Sequence, residues 1–387
     1  MTPRASARQA SIDVLRAVAI ALMVVVHFVE NLSGWYGAAD NVFAGVHQVW
    51  WLPTGFAAPI FTFLTGVSYR LWVGVLERRG LGQEAIAKGT VRRGLFLVGL
   101  GFAFNVLIWL PEDVFNWDIL TLIGLGLLVL EFARRMPDGV VMFAAVLVVA
   151  VAPTLREVAG YSEYWTEGYY DYDFTVSDVA LGWLVTGYFP VFPWLAFPLV
   201  GYAAAPALLR QTNQPPHAGQ AGSLPAPTLG FGYLAASAIL ASSVLILIWQ
   251  RLPTWVTGHA VEAWAMFPAT TAYVLGTLGG ISLVLAVLHR ALDGDVPRCR
   301  ELVAWATPLS RHALSIYILH HAVHVWPLWA WGLATTGDLS ALWQVAMPPW
   351  ASLSLAVLFL AAVAMFYRWA DTASLPTAES LMRWICE

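Results

Sequence analysis

Ten long apolar stretches, spread over the whole chain, constrain its fold more than any other feature of the sequence. A helix needs about 20 mainly apolar residues to cross a bilayer. The stretches have approximate limits of 12–31, 55–76, 94–111, 118–133, 139–155, 181–209, 230–250, 266–289, 303–326 and 350–368. Only 11% of the residues are charged, against about 25% in soluble domains, so lipid must solvate much of the surface. We therefore predict an all-α fold, a polytopic transmembrane helical bundle of about ten spans that forms a single domain over residues 1–387.

The basic residues that flank these stretches collect on one side of the predicted membrane. That side holds Arg4, Arg8, Arg78, Arg79, Lys88, Arg92, Arg93, Arg134, Arg135, Arg210, Arg290, Arg298, Arg300, Arg368 and Arg383. The other side holds Arg156 and Arg251. Since cytoplasmic loops are rich in Lys and Arg, we predict that both termini are cytoplasmic, in a multi-pass protein of the cell inner (cytoplasmic) membrane. The first stretch is too long for the core of a signal peptide, so we expect a retained helix there.

Two connections between spans have a distinct composition. Residues 157–180 form a predicted outer loop that is acidic and aromatic and contains no Lys or Arg. Trp and Tyr gather at the membrane–water interface, which favours an interfacial belt or lid. Aromatic faces also stack on sugar rings, which favours a carbohydrate platform. Residues 211–228, rich in Pro, Gly and Gln, are predicted to be a flexible cytoplasmic linker.

The first span carries ionisable residues on one face. Arg16 and His27 are eleven residues apart, which returns a helix to within about 20° of the same direction and covers roughly 16 Å of its axis. Arg16 is therefore expected near the cytoplasmic end, with His27 about half a membrane further out. Asp13 lies one turn below Arg16 and can neutralise it. Because ionisable groups in the hydrocarbon are costly, each is a functional candidate.

The ninth span repeats this arrangement. Arg311 is expected near its cytoplasmic end, and His320, His321 and His324 follow at the depth of His27. The spacing from His320 to His324 is i,i+4, which places them on one helix face. Asp118, at the outer start of the fourth span, is a plausible carboxylate to orient a histidine.

These residues favour two kinds of chemistry. Imidazoles that meet carboxylates suit general acid–base catalysis or metal binding. The first His of the His-x-x-x-His pattern is not followed by the Glu of the metalloprotease motif, and the two cysteines are far apart. We therefore expect no metal. The sequence contains no Walker-type or dinucleotide glycine fingerprint.

The segment SIDVLRAVAIALMVVVHF resembles the opening helix of the transmembrane acyltransferase superfamily, which is marked by Arg, ten residues and then His; Arg16 and His27 match it. A closer resemblance is to the bacterial branch related to heparan-α-glucosaminide N-acetyltransferase. It extends over the whole chain and is most specific in the first, second and ninth spans, as in GFAAPIFTFLTGVSYRL (55–71) and LSRHALSIYILHHAV (309–323).

The resemblance implies transfer of an acyl group, typically acetyl from cytoplasmic acetyl-CoA, to a hydroxyl or amino group on the far side of the membrane. His27 would be the catalytic histidine. His47, in the connection after the first span, is the nearest counterpart of a functional loop histidine of the lysosomal relatives, so the choice between the two stays open. Asp118, His320 and His321 complete the expected catalytic set. The expected sites for the CoA phosphates are Arg16, Arg92, Arg93 and Arg311.

The leading interpretation is thus a membrane acyltransferase that modifies a sugar or envelope glycan. Its predicted partners are a small-molecule acyl donor, the glycan acceptor and membrane lipids, with no nucleic acid; the sequence leaves open whether the protein forms a homo-oligomer. Two alternatives use the same residues. One is a proton-coupled transporter or exporter, and the other is a non-catalytic accessory subunit of a membrane complex.

Overall fold

The computed structural model describes residues 9–33, 55–109, 114–166, 169–208, 226–248, 251, 264–293, 299–373 and 376–386. In chain order the helices are α1 (Ala10–Ser33), α2 (Ala57–Arg78), α3 (Gln83–Ile108), α4 (Ile119–Ala133), α5 (Asp138–Val158), α6 (Val176–Leu181), α7 (Val191–Trp194), α8 (Ala196–Leu208), α9 (Ala226–Ile248), α10 (Thr271–Leu292), α11 (Arg300–Arg311), α12 (Ala313–Thr336), α13 (Pro349–Ala373) and α14 (Ala378–Cys386). Between α5 and α6 lie a 3₁₀ turn (Tyr161–Tyr164) and an antiparallel hairpin of strands β1 (Trp165–Thr166) and β2 (Tyr169–Tyr170); a π-helical turn (Gly182–Thr186) follows α6.

The prediction of an all-α polytopic bundle is confirmed. Among the described residues, seven segments are long and apolar enough to cross a membrane: α1, α2, α3, α5, Val176–Ala207, α10 and Pro349–Ala370. Helix α4 and residues Leu234–Leu245 of α9 are shorter apolar helices. Helix α12, which carries three histidines, is not one of the seven. The number of ten spans, the cytoplasmic termini and the single-domain organisation stay predictions.

Helix α1 lies at the centre of the bundle. It contacts α2, α10, α11, α12 and α13, and Ala19, Ile20 and Val24 on it are fully buried. Surrounding a helix with other helices shelters its polar side chains from lipid, which is the condition for ionisable groups at membrane depth. The polar face of α1 therefore points into protein.

Glycines allow two pairs of helices to approach closely. A Cβ atom on Gly94 of α3 would meet the carbonyl oxygen of Gly124 on α4 at 2.9 Å, and one on Gly124 would meet the carbonyl oxygen of Gly94 at 2.6 Å. Gly66 of α2 and Gly201 of α8 are likewise opposed to backbone of the partner helix. Small residues at such crossings let van der Waals packing hold helices together where the surroundings are as apolar as their side chains.

Large apolar side chains cover the outer surface of several helices. On α5 these include Phe143 and Val146, and on α13 they include Leu358 and Met365, all more than half exposed. A soluble monomer rarely exposes contiguous apolar patches of this kind. The faces of α5 and α13 are thus suited to contact with lipid.

Two of the predicted spans are interrupted. The stretch at 181–209 is divided into the π-helical turn, α7 and α8, where Pro190 and Pro193 cannot donate backbone hydrogen bonds. The stretch at 303–326 is broken at His312, which separates α11 from α12. The predicted linker at 211–228 lies outside the described residues except for 226–228, which begin α9.

Candidate active site

Histidines from two helices that are far apart in sequence meet inside the bundle. The Nδ1 atom of His27 on α1 lies 2.9 Å from the Nε2 atom of His320 on α12. The ring of His321 lies 4.5 Å from that of His27 and 4.0 Å from that of His320, between centroids. His320 and His321 are buried, and His27 is partly exposed. The predicted meeting of the first and ninth spans is thus present in the structure.

The hydrogen bonds of His320 assign the tautomers of the pair. Its Nδ1 lies 3.1 Å from the carbonyl oxygen of Ile316, which can only accept, so Nδ1 carries the proton. In the neutral ring Nε2 then holds a lone pair and accepts from the Nδ1–H of His27. This leaves Nε2 of His27 with a lone pair, the form that a general base requires.

A fourth histidine extends the cluster. His324 donates from Nδ1 to the carbonyl oxygen of His320 at 2.5 Å, and its Nε2 accepts from the amide of Asn31 at 2.8 Å. The catalytic and donor-binding residues expected from sequence include neither His324 nor Asn31. The signal was available, since His27 and Asn31 on α1 repeat the i,i+4 spacing of His320 and His324 on α12.

His321 has different surroundings. Among the described residues its buried Nδ1 has no hydrogen-bond partner. Its ring packs edge-on against three aromatic rings, those of Phe104, Trp109 and Tyr317, with centroids 5.0 to 5.6 Å away. An aromatic shell of this kind fixes the ring in place without binding its nitrogen atoms.

Among the residues that the structure describes, Asp118 bonds no histidine directly. Its two carboxylate oxygens accept from the hydroxyl of Tyr317 at 2.9 and 2.8 Å, and one also accepts from the backbone N–H of Leu120 at 3.4 Å, as the N-cap of α4. The Tyr317 ring in turn lies edge-on to His320 and His321. Within the described part of the chain the direct partner of Asp118 is therefore Tyr317, which contacts both the carboxylate and the two imidazoles.

Arg16 is held inside the bundle, near the start of α1. Its two terminal nitrogens donate to Ser310 Oγ at 2.8 Å and Ser68 Oγ at 2.7 Å. Ser310 donates onward to Asp13 Oδ1 at 2.7 Å. Asp13 therefore compensates Arg16 through a serine on α11, which the sequence could not identify. Since α1 is one continuous helix, Arg16 lies roughly 16 Å along its axis from His27.

The remaining predicted residues are more dispersed. The guanidinium of Arg93 lies 4.3 Å from the ring centroid of Trp72 on α2, whereas Arg92 and Arg311 are exposed. Arg311 ends α11, so the break at His312 separates it from α12. His47 lies outside the described residues.

Carboxylates from elsewhere in the chain cap both histidine-bearing helices at their first turn. Glu379 of α14 accepts from the backbone N–H groups of Leu314 and Ser315 at 2.8 and 3.0 Å, and from Ser315 Oγ at 2.6 Å. This replaces the side-chain cap that His312 does not supply to α12.

Asp293, just after α10, caps the first turn of α1. It accepts from the N–H of Ala10 at 2.7 Å and from the N–H and hydroxyl of Ser11. Its burial raises its pKa, but hydrogen bonds from His289, Ser11 and the Ala10 backbone outweigh that effect, so the pKa lies below its ordinary value.

Comparison with known families gives one match. The family model described as "Heparan-alpha-glucosaminide N-acetyltransferase, catalytic" matches residues 8–232, more than half of the 387-residue chain. The matched range includes all of α1 to α8 and so contains Arg16, His27 and Asp118, while α12 with its histidines lies beyond it. No curated protein matches the chain.

Proposed function

The chain belongs to the heparan-alpha-glucosaminide N-acetyltransferase family, and we propose that it takes an acetyl group from cytoplasmic acetyl-CoA and delivers it to an amino or hydroxyl group of a sugar at the extracytoplasmic face. The family implies acyltransferase activity, and the apolar helices indicate a membrane protein. We propose four further points: acetyl-CoA as the donor, a sugar as the acceptor, transfer from the cytoplasmic to the extracytoplasmic face, and the inner membrane as the location.

One observation carries the proposal, the bond between His27 and His320. It leaves a lone pair on Nε2 of His27, a residue that is partly exposed. As the acceptor nitrogen or oxygen bonds to the thioester carbon, His27 Nε2 takes its proton. The carbon–sulfur bond then breaks and CoA leaves as a thiolate, to which the imidazolium returns the proton. Such acid–base assistance contributes typically 10²–10⁴-fold to the rate.

His320 supports His27 in this step. When His27 is protonated it carries a positive charge, and its Nδ1–H still donates to the lone pair of His320. A hydrogen bond to the charged form favours that form. The arrangement is related to the Ser–His–Asp triad, in which a third group orients the imidazole, but here the orienting group is neutral.

The arginine network is proposed as the donor end of the site. Guanidinium groups suit phosphates because they donate several hydrogen bonds in a fixed fork. Arg16 is already oriented by Ser68 and Ser310. Although Arg92, Arg93 and Arg311 are more dispersed, they are proposed to bind phosphates of the same donor. The arm of CoA that bears the thioester would extend from there along α1 towards His27.

The outer hairpin is proposed to guide the acceptor. The hydroxyl of Tyr169 accepts from Trp343 Nε1 at 3.2 Å and from Gln344 Nε2 at 2.6 Å, and the backbone N–H of Gln344 bonds the carbonyl oxygen of Asn31 at 2.9 Å. The aromatic loop at 157–180 is thereby tied to α1 one turn beyond His27, which supports its role as a carbohydrate platform. His47, in the connection after α1, is the alternative base.

Transfer across a bilayer tests the proposal. Proteoliposomes would contain acceptor sugar inside, with glucosamine as the probe, and would receive acetyl-labelled acetyl-CoA outside. We expect labelled sugar in the lumen of vesicles whose protein exposes its cytoplasmic face. Label that enters as unreacted acetyl-CoA or acetate would instead support the transporter alternative. No labelled product, with intact protein and several amino sugars, would support the accessory-subunit alternative.

A further inference from the structure

We propose that His27, His320 and His321 also bind one divalent transition-metal ion, of which Zn²⁺ is the natural probe, and that the bound ion blocks acetyl transfer. The binding half of this inference is independent of the proposed function, and the blocking half rests on it. The ion would be an inhibitor, not a cofactor of the reaction.

The geometry of the three nitrogens carries the proposal. One ligand nitrogen from each ring lies within 4.8 Å of the others. Zn²⁺ binds imidazole nitrogen at about 2.0–2.1 Å, so tetrahedral ligands lie roughly 3.3 Å from one another. The observed separation of 2.9 Å between His27 Nδ1 and His320 Nε2 is close to that value. Small rotations of the rings would open room for an ion.

The ligand set itself is suitable for a metal. Three histidines with an open fourth position form a known zinc site. Metal-binding histidines almost always donate their other N–H to a carbonyl or carboxylate, and His320 donates to Ile316 in this way. Two ligands come from α12 and one from α1, so the ion would tie the two helices together.

His321 gives a second, independent reason. Its Nδ1 is buried and has no hydrogen-bond partner among the described residues, and the proposed transfer needs only His27 and its support from His320. A buried polar atom without a hydrogen-bond partner destabilises the folded protein. Coordination to a cation would satisfy this ring without a water molecule or a further side chain.

Blocking follows from the use of His27 in both roles. A neutral ring bound to the ion through Nδ1 carries its proton on Nε2 and has no lone pair there, and one bound through Nε2 gives the lone pair that accepts the proton to the ion. Either change removes the base. Acetyl-CoA, which binds through the arginines in the proposed function, would still bind.

Direct binding tests the first half. The purified full-length protein in detergent, stripped with EDTA, is titrated with Zn²⁺ against a chromophoric chelator, and with Co²⁺, whose visible spectrum reports tetrahedral nitrogen ligands. We expect one ion per chain and at least a tenfold loss of affinity in His321→Ala and in His320→Ala. The control is His289→Gln, on α10 and bonded to Asp293, which should keep the site.

Two results would overturn the proposal. One is the absence of binding above that of detergent alone. The other is a site that survives both His320→Ala and His321→Ala in protein that remains folded by size-exclusion chromatography. His321→Asn, which keeps a polar side chain, gives a second variant where the alanine form does not fold.

Inhibition tests the second half. Acetyl transfer by the wild type should fall with Zn²⁺ and recover with EDTA, with the KM for acetyl-CoA unchanged. His321→Ala should need at least tenfold more Zn²⁺ for the same fractional inhibition, whatever activity it retains. Binding without inhibition in an active enzyme would refute the blocking role alone. A protein with no transferase activity leaves the binding result to stand, so the two failures are distinguishable.

Discussion

His27 and His320 share a hydrogen bond of 2.9 Å although they are 293 residues apart. The bond joins α1 to α12 inside the bundle and, through the proton that His320 gives to Ile316, determines which nitrogen of His27 is basic. The role proposed for His27 as the base depends on that assignment.

Removing the support of His320 should slow the chemical step. In His320→Asn or His320→Ala the Nδ1–H of His27 loses its acceptor, and the imidazolium formed during transfer is less stable. We expect kcat to fall by about 10–100-fold, within the range of such acid–base effects, while the KM for acetyl-CoA changes little. Steady-state kinetics would check this. A change in KM with kcat intact would place His320 in donor binding.

Removing the arginines should weaken the binding of the donor, acetyl-CoA. Arg16→Ala, Arg93→Ala and Arg311→Ala together should weaken acetyl-CoA binding at least tenfold, because the phosphates lose their charge-assisted bonds. Isothermal titration calorimetry provides the measurement. The matched control is Arg70→Ala, an arginine of α2 that instead pairs with Asp138 at 2.9 Å and should leave donor affinity unchanged. Unaltered affinity in the triple variant would exclude the proposed donor end.

Glu379 should stabilise the helix that carries His320. Because its carboxylate caps the first turn of α12, Glu379→Ala should destabilise the protein by about 1 kcal/mol, a usual cost for a lost N-cap. Thermal unfolding in detergent measures this. Glu379→Gln keeps one acceptor oxygen and should lose less. Glu84→Ala is the control, since Glu84 pairs with Lys88 on the surface. Equal melting temperatures for wild type and Glu379→Ala would contradict the capping role.

Asp293 should make the stability of the folded protein depend on pH. Its pKa is lowered in the folded protein, so its contribution is present at neutral pH and is lost as the pH falls below the unfolded value and through the folded one. We expect Asp293→Asn to melt at a lower temperature than the wild type near neutral pH. The gap should narrow as the pH falls below about 3.9, the pKa of an unperturbed Asp, because the carboxyl is then progressively protonated. A gap that stays constant or widens in acid would show that Asp293 acts other than as a charged cap.

Periodicity and spacing could predict most of the fold but only part of the site. The helical face that holds Arg16 and His27 follows from local geometry, and a single continuous α1 preserves it. The contact between α1 and α12 could be predicted because their histidines are expected at a similar depth in the membrane and because the sequence resembles a known family. What could not be predicted depends on contacts between distant helices. Nothing in the local sequence distinguishes Ser68 and Ser310 from other serines, and only the packing of the helices places them beside Arg16.

The break at His312 is a second feature that the local sequence could not predict. The sequence at 303–326 has the composition of one uninterrupted span, yet α11 ends at Arg311 and α12 begins at Ala313. Glu379, which is 65 residues after Leu314, supplies the missing cap. No local rule connects the two, because the cap depends on where α14 packs. The hydrogen bond from Tyr317 to Asp118 could not be predicted locally either, since the two residues are 199 positions apart.

The most direct test of the central claim is the rate of CoA release from acetyl-CoA in the presence of glucosamine, measured for purified wild type, His27→Ala and His47→Ala. With His27 as the base, His27→Ala should lose at least 100-fold in kcat while it still binds acetyl-CoA and elutes as folded protein, and His47→Ala should retain most of the wild-type rate. Full activity in His27→Ala, with loss in His47→Ala, would contradict the account and move the chemistry to the connection after α1.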